Sequence, residues 1–236
     1  MTISKHQGVS CLLILVLCFT AQAVPAAESL RFDFSPDPLA QFSQPPELRL
    51  SCPRPTGPPT VDGSLNDPAW QQAATIEALA GQDPLTDVRV CADERALYIA
   101  VRCDLRNGHP PKAEIYERDG RAWSDDCIEI WIAPDLARTT SYQFAVNAAN
   151  SIYDATKVGS RSNSEHDPTW QHAATIGENA WTVEVALPYA AFGLTAWQRH
   201  IGFNIGRNGP SLTPRSWNGK YGDPTASVLV FPDAPE

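Results

Sequence analysis

Short β-type runs closed off by turn residues recur through this chain, and no stretch of it carries a long helical stripe. The runs are DVRVCA (87–92), ALYIAVRCD (96–104), CIEIWIA (127–133), SYQFAVNAA (141–149), IYDATKV (152–158), WTVEVALP (181–188), HIGFNIGRN (200–208) and SVLVF (227–231). A shorter one, LRLSC (48–52), precedes them. Val, Ile, Tyr, Phe and Trp are frequent, and several runs alternate with period two, as Tyr142, Phe144 and Val146 do against Gln143, Ala145 and Asn147. Such alternation marks half-buried strands. Many of them, with frequent turns, predict an all-β fold: an antiparallel β-sandwich of jelly-roll or immunoglobulin-like form with one or two short helical turns.

Two nearly identical segments invite a duplication reading. DPAWQQAATI starts at Asp67 and DPTWQHAATI at Asp167, and they agree at eight of ten positions. Their flanks do not match, since VDGSLN precedes the first and RSNSEH the second. The shared part is a local device: Asp as helix cap, Pro at the first helical position, Trp folded back onto the core and AATI as the following strand. Trp70, Trp170 and Trp181 are therefore core candidates, and Trp131 could face either side of its strand.

The N-terminus has the layout of a secretory signal peptide: Lys5, an apolar stretch over 11–19, then small residues around 21–26. The apolar stretch falls short of the roughly 20 residues a membrane-spanning helix needs. The expected division is a signal peptide over 1–26, a Pro-rich leader over 27–57 and one folded domain over 58–236, with no transmembrane segment in the mature chain. The expected location is secreted or periplasmic.

The net charge of −9 becomes −10 once Lys5 leaves with the signal. An acidic chain without a basic block argues against nucleic acid as a partner. Cys52, Cys91, Cys103 and Cys127 remain after export. Four cysteines allow three pairings. Cys103 ends one run and Cys127 opens a later one, so they could pair if those strands are antiparallel neighbours, leaving Cys52 with Cys91. Buried free thiols are the alternative.

The order of blocks PPTVDGSLNDPAW, VRVCADERALYIAVRCD, RDGRAWSDDCIEIWIAPD, YQFAVNAANSIYDA, WTVEVALPYAAFG, IGFNIGRN and SWNGKYGDPTASVLVF resembles carbohydrate-binding module family 9 and its domain relatives. The likeness runs from about residue 58 to 231. It implies an antiparallel sandwich that grips sugars, is often appended to xylanases and other glycoside hydrolases, and in some members holds structural calcium. It further implies two aromatic rings clamping a terminal sugar, which match Trp123 and Tyr221, and polar partners matching Glu129, Asn147 and Asn218. Trp217, just before the late loop, is a further wall of the site or a plug. The sequence departs from the pattern where Ala145 replaces a basic residue, where Tyr221 stands for tryptophan, and in a shorter late loop.

The chemistry of these residues agrees with that implication. Sugars present C–H faces that flat aromatics match and a rim of hydroxyls that carboxylates and amides match. Trp123 stands between ERDGRA and SDD, unusual company for a core residue. Asp125 and Asp126 are candidates for calcium or for binding backbone N–H groups at a loop-to-strand junction. The expectation is a non-catalytic domain, without catalytic residues, that binds an oligo- or polysaccharide in support of carbohydrate breakdown, with any glycoside hydrolase a separate chain. The rival readings are a hydrolase using Asp125 and Glu129, and an envelope interaction module with a degenerate sugar site.

Overall fold

In the computed structural model, residues 48–76, 79, 85–135, 139–210 and 212–235 are described. The segment read as signal peptide and the leader up to residue 47 lie outside them. The strands in chain order are β1 (Leu48–Ser51), β2 (Ala74–Ile76), β3 (Thr86–Ala92), β4 (Ala96–Asp104), β5 (Cys127–Ala133) and β6 (Thr140–Asn147). They continue with β7 (Ile152–Val158), β8 (Arg161–Asn163), β9 (Gln171–Ile176), β10 (Ala180–Pro188), β11 (His200–Asn208), β12 (Arg215–Ser216) and β13 (Ser227–Val230). The larger sheet has the order β1-β13-β11-β5-β6-β7-β8, with β12 also on β11, and the smaller has β2-β3-β4-β10-β9. Apart from the parallel β1–β13 pair, the described pairings are antiparallel. The fold is the all-β sandwich that the alternation predicts. No helix among the described residues is long and apolar enough to cross a membrane.

The period-two pattern decides which side chains meet between the sheets. Leu97, Ile99 and Val101 from β4, with Val183, Val185 and Leu187 from β10, face Ile128, Ile130 and Ile132 of β5 and Ile201, Phe203 and Ile205 of β11 across the main core. Each such side chain contributes roughly 1.5–3 kcal/mol by leaving water. The alternate residues of β5 and β6, among them Glu129, Trp131, Gln143 and Ala145, therefore lie on the outer face of the larger sheet.

The repeated DPxW segments form the two edges of the smaller sheet, β2 and β9. Only the first begins with a helix, α1 (Pro68–Gln72). Asp67 sits at its cap position with Pro next, yet its carboxylate makes no cap hydrogen bond to the helix and instead accepts from the Thr60 N–H at 3.2 Å. Residues 166–170 are irregular and lead straight into β9. What the segments share is the tryptophan: Trp70 Nε1 donates to Glu184 at 2.7 Å, and Trp170 Nε1 donates to Asp154 at 3.2 Å. Both carboxylates are fully buried. Glu184 also accepts from the Asp62 and Gly63 N–H groups, at 2.9 and 2.7 Å, tying the VDGSLN turn to the middle of β10. Trp70, Trp170 and Trp181 are all buried, as expected.

Of the two readings of the cysteines, the structure has the free thiols. Cys52, Cys91, Cys103 and Cys127 are buried free thiols. β4 and β5 lie in different sheets, so Cys103 and Cys127 are not on neighbouring strands. Cys103 points into the main core, whereas Cys127 alternates with the core residue Ile128 and belongs to the opposite face of its sheet. Cys52 likewise packs in the main core and Cys91 in the separate cluster with Trp70 and Tyr98 on the far side of the smaller sheet.

A candidate carbohydrate site on the outer face of the larger sheet

Strand register draws one line across the larger sheet. Tyr153 on β7 pairs with Ala145 on β6, Ala145 with Glu129 on β5, and Glu129 with Gly206 on β11. Three strand spacings separate the ends of this row, about 14 Å. Trp123 reaches the β7 end from the 3-10 turn Ala122–Ser124, its ring edge-on to Tyr153 at 5.0 Å and 87°. Tyr221 covers the β11 end, its ring 4.7 Å from Trp131 at 71°. Gly206 makes room for it, because a Cβ there would lie 2.8 Å from Tyr221 Cε2 and 2.6 Å from the Arg215 carbonyl. The two aromatic residues thus stand at opposite ends of one row with Glu129 and Ala145 between them.

Glu129 is 4% exposed and accepts from the Tyr221 hydroxyl at 2.5 Å and from Gln143 Nε2 at 2.7 Å. Burial pushes its carboxyl above the usual carboxylate range, against the hydrogen bonds from Tyr221, Asn208 and Gln143 and the positive charge of Lys157. Burial, and then the negative Glu129, lift the Tyr221 hydroxyl far above its ordinary value. The Lys157 ammonium moves the other way, lowered by its own burial despite the attraction of Glu129. Tyr221 is nonetheless 37% exposed, so the ring meets water while its hydroxyl end is enclosed.

The amides assigned to sugar hydroxyls are occupied within the protein. Asn147 is 0% exposed; its Nδ2 donates to the Ile115 carbonyl and to Asp125, and its Oδ1 accepts from the Ser151 N–H. Asn218 donates to the Asp223 carbonyl at 2.7 Å and Ser227 Oγ at 2.9 Å while accepting from Lys220 N and Asn204 Nδ2. It shapes the loop that presents Tyr221, where Gly219 and Gly222 take the left-handed backbone that glycine tolerates. Trp217 packs against the main core, its ring tilted over Phe203 at 6.1 Å, which fits the plug of its two readings.

Asp125 and Asp126 brace a loop. Asp125 Oδ2 accepts from the Glu114 and Ile115 N–H groups at 2.8 and 2.7 Å, and Asp126 Oδ2 from the Lys112 N–H at 2.9 Å. Lys112 Nζ lies 3.5 Å from Asp125 Oδ1. This is the backbone-binding role of the two readings. Among the described residues no group of three or more His, Cys, Asp or Glu converges as a metal site would require. Nor do Asp125, at 0% exposure, and Glu129 flank an open gap that a glycosidic bond could enter.

Tyr153, Gln143 and Gly206 are candidate site residues that single-strand reading misses. Gln143 shares the face of Ala145 by alternation, a signal present in the sequence. The partners across strands depend on register, which no local pattern encodes. A cavity of about 550 Å³ shares no lining residue with the row; its wall comes from the 105–112 stretch together with Asp126, Arg207, Pro210 and Leu212.

Comparison with known proteins adds a family. No curated protein sequence matches the chain significantly. A crystal structure of a Bacteroides uniformis protein proposed to bind carbohydrate is similar, with TM-score 0.63 and 17% identity over 78% of this chain and 99% of that one. A family 9 carbohydrate-binding module from Caldicellulosiruptor kristjanssonii in complex with glucose gives TM-score 0.54 and 14% identity, covering 80% of this chain and 97% of that one. The same organism's family 9 module in complex with cellotriose gives 0.54 and 13%, covering 78% and 93%. At these identities the likeness is one of fold. The model of the carbohydrate family 9 binding domain-like family matches residues 61–214, most of the folded domain. The chain belongs to the carbohydrate family 9 binding domain-like family.

Proposed function

We propose that this protein is a non-catalytic carbohydrate-binding domain that holds a sugar unit over Glu129, between Trp123 and Tyr221. The transverse row Tyr153–Ala145–Glu129–Gly206, with an aromatic residue at each end, carries this reading. Stacking on the rings takes up the C–H faces of the sugar. A carboxylate accepts up to about four hydrogen bonds, so Glu129 keeps room for one sugar hydroxyl beside Tyr221, Gln143 and Asn208. Asn147 and Asn218 act indirectly, bracing the loop behind Trp123 and the loop that carries Tyr221. Family membership and the glucose and cellotriose complexes of the Caldicellulosiruptor kristjanssonii module support the ligand class. The N-terminal signal-like stretch supports export, where such a domain would serve polysaccharide breakdown beside a separate hydrolase.

Calorimetric titration with glucose and cellotriose tests it. Wild type gives heat with cellotriose, and Trp123→Ala weakens binding by about tenfold, the worth of one aromatic stacking partner. Absence of heat with either sugar would sink the proposal. The 4% exposure of Glu129 favours a second reading, an envelope interaction module whose sugar site is closed. That silent titration is what it predicts.

A further inference from the structure

The cavity of about 550 Å³ lies within the size range of small-molecule sites. Its charge runs against that of the whole protein. In a chain of net charge −9, its wall carries Arg106, Lys112 and Arg207 against a single acid, Asp126. Lys112 is already matched by Glu114 at 3.2 Å and Asp125 at 3.5 Å. Arg207 is not. It is 4% exposed, and its guanidinium donates to neutral acceptors: Thr86 Oγ1 at 3.2 Å and the carbonyls of Leu85 and Asp104 at 3.4 and 3.0 Å. The Asp126 carboxylate stands 3.9 Å off, outside hydrogen-bond reach, and turns its other oxygen to the Lys112 N–H. Arg207 Nε has no hydrogen-bond partner.

A buried cation whose nearest carboxylate stands outside hydrogen-bond reach is costly to keep, and an incoming anion that bonds it directly relieves part of that cost. A guanidinium is the side chain best suited to a carboxylate. The remaining wall includes Pro110, Pro111 and Leu212, apolar side chains that suit a compact carbon skeleton; the two prolines also lack a backbone N–H. We propose that this cavity is a second binding site, separate from the aromatic row, for a small carboxylate-bearing molecule of monosaccharide size. The same chemistry is offered by a uronic acid and by a simple dicarboxylic acid.

Calorimetric titration of the full chain with D-glucuronate, succinate and D-glucose, at low and high sodium chloride, tests the site. At least one acid binds, with an affinity that falls as salt rises. Glucuronate alone assigns the site to uronic acids; both acids assign it to small carboxylates generally. Arg106→Glu, at an exposed turn position, weakens acid binding by about tenfold through charge reversal at the cavity wall. Trp123→Ala leaves acid binding unchanged, which separates this site from the proposed sugar row and makes their failures distinguishable. Arg207→Gln also weakens it; its unfolding curve is recorded first, and Arg106→Glu decides alone if that variant does not fold. Failure of both acids to bind wild type overturns the proposal, as does acid binding that survives Arg106→Glu and is lost in Trp123→Ala.

Discussion

The Tyr221 hydroxyl donates to Glu129 Oε1 at 2.5 Å, joining a residue of the late loop to the middle of β5 across 92 positions of sequence. The bond places an exposed ring at one end of the candidate site and closes the carboxylate beneath it. Tyr221→Phe keeps the ring against Trp131 but leaves Glu129 Oε1 without this donor. Denaturant unfolding should show a loss of about 1–2 kcal/mol, the cost of a buried acceptor deprived of its partner. An unchanged unfolding midpoint would mean that the bond does not hold in solution.

Glu129 should impose a pH dependence of definite sign. Burial raises its carboxyl pKa in the folded chain, so the folded state binds that proton more tightly than the unfolded chain does. Stability from this group is therefore fully present below the unfolded pKa and is lost as pH rises through the higher folded value. Asp126 and Asp154, raised in the same direction by burial, add to the slope. Glu129→Gln keeps the shape and one of the two acceptor oxygens but does not titrate. Between mildly acidic and neutral pH, the variant should lose less stability than wild type. Parallel pH profiles would refute the raised carboxyl.

Glu184 tests the other end of the molecule. Its carboxylate receives the Trp70 indole and two backbone N–H groups at full burial. Glu184→Ala deprives three donors of their acceptor, two of them buried, and should cost about 3–5 kcal/mol, measured by chemical denaturation. A loss below about 1 kcal/mol would show that the VDGSLN turn does not depend on it.

Cys52, Cys91, Cys103 and Cys127 should behave as protected thiols. Burial pushes Cys91 and Cys103 up to about 12 and raises Cys52 and Cys127 as well. A thiol reagent should leave them unmodified in the native protein and label all four after unfolding without reductant. A failure of any of these four to take the label would reveal a bridge that the structure does not contain.

Strand identity was legible in the sequence because alternation is local. The runs at 96–104, 127–133, 152–158 and 200–208 match β4, β5, β7 and β11 end to end. The short strands β8 and β12 escaped, since two or three polar residues carry no period. The second DPxW segment also misled. Its Asp and Pro could begin a helix, yet what folds the segment is a tertiary bond from Trp170 to a buried Asp154 on another strand. At the site, Trp123, Glu129 and Tyr221 were nominated by resemblance and chemistry, and the structure sets them along one row. Asn147 and Asn218 looked available because an amide in a sequence has no visible partner. Only the folded loops show that their donors and acceptors are filled.

Chemical-shift mapping of the isotope-labelled protein with cellotriose reads the proposed location of the sugar without presupposing any one contact. The sugar row predicts shifts at the Trp123 indole N–H and at the backbone amides of Glu129, Ala145, Gly206 and Tyr221, saturating together. Shifts confined to the smaller sheet or to the 105–112 loop, or none at all, would contradict a sugar held between Trp123 and Tyr221.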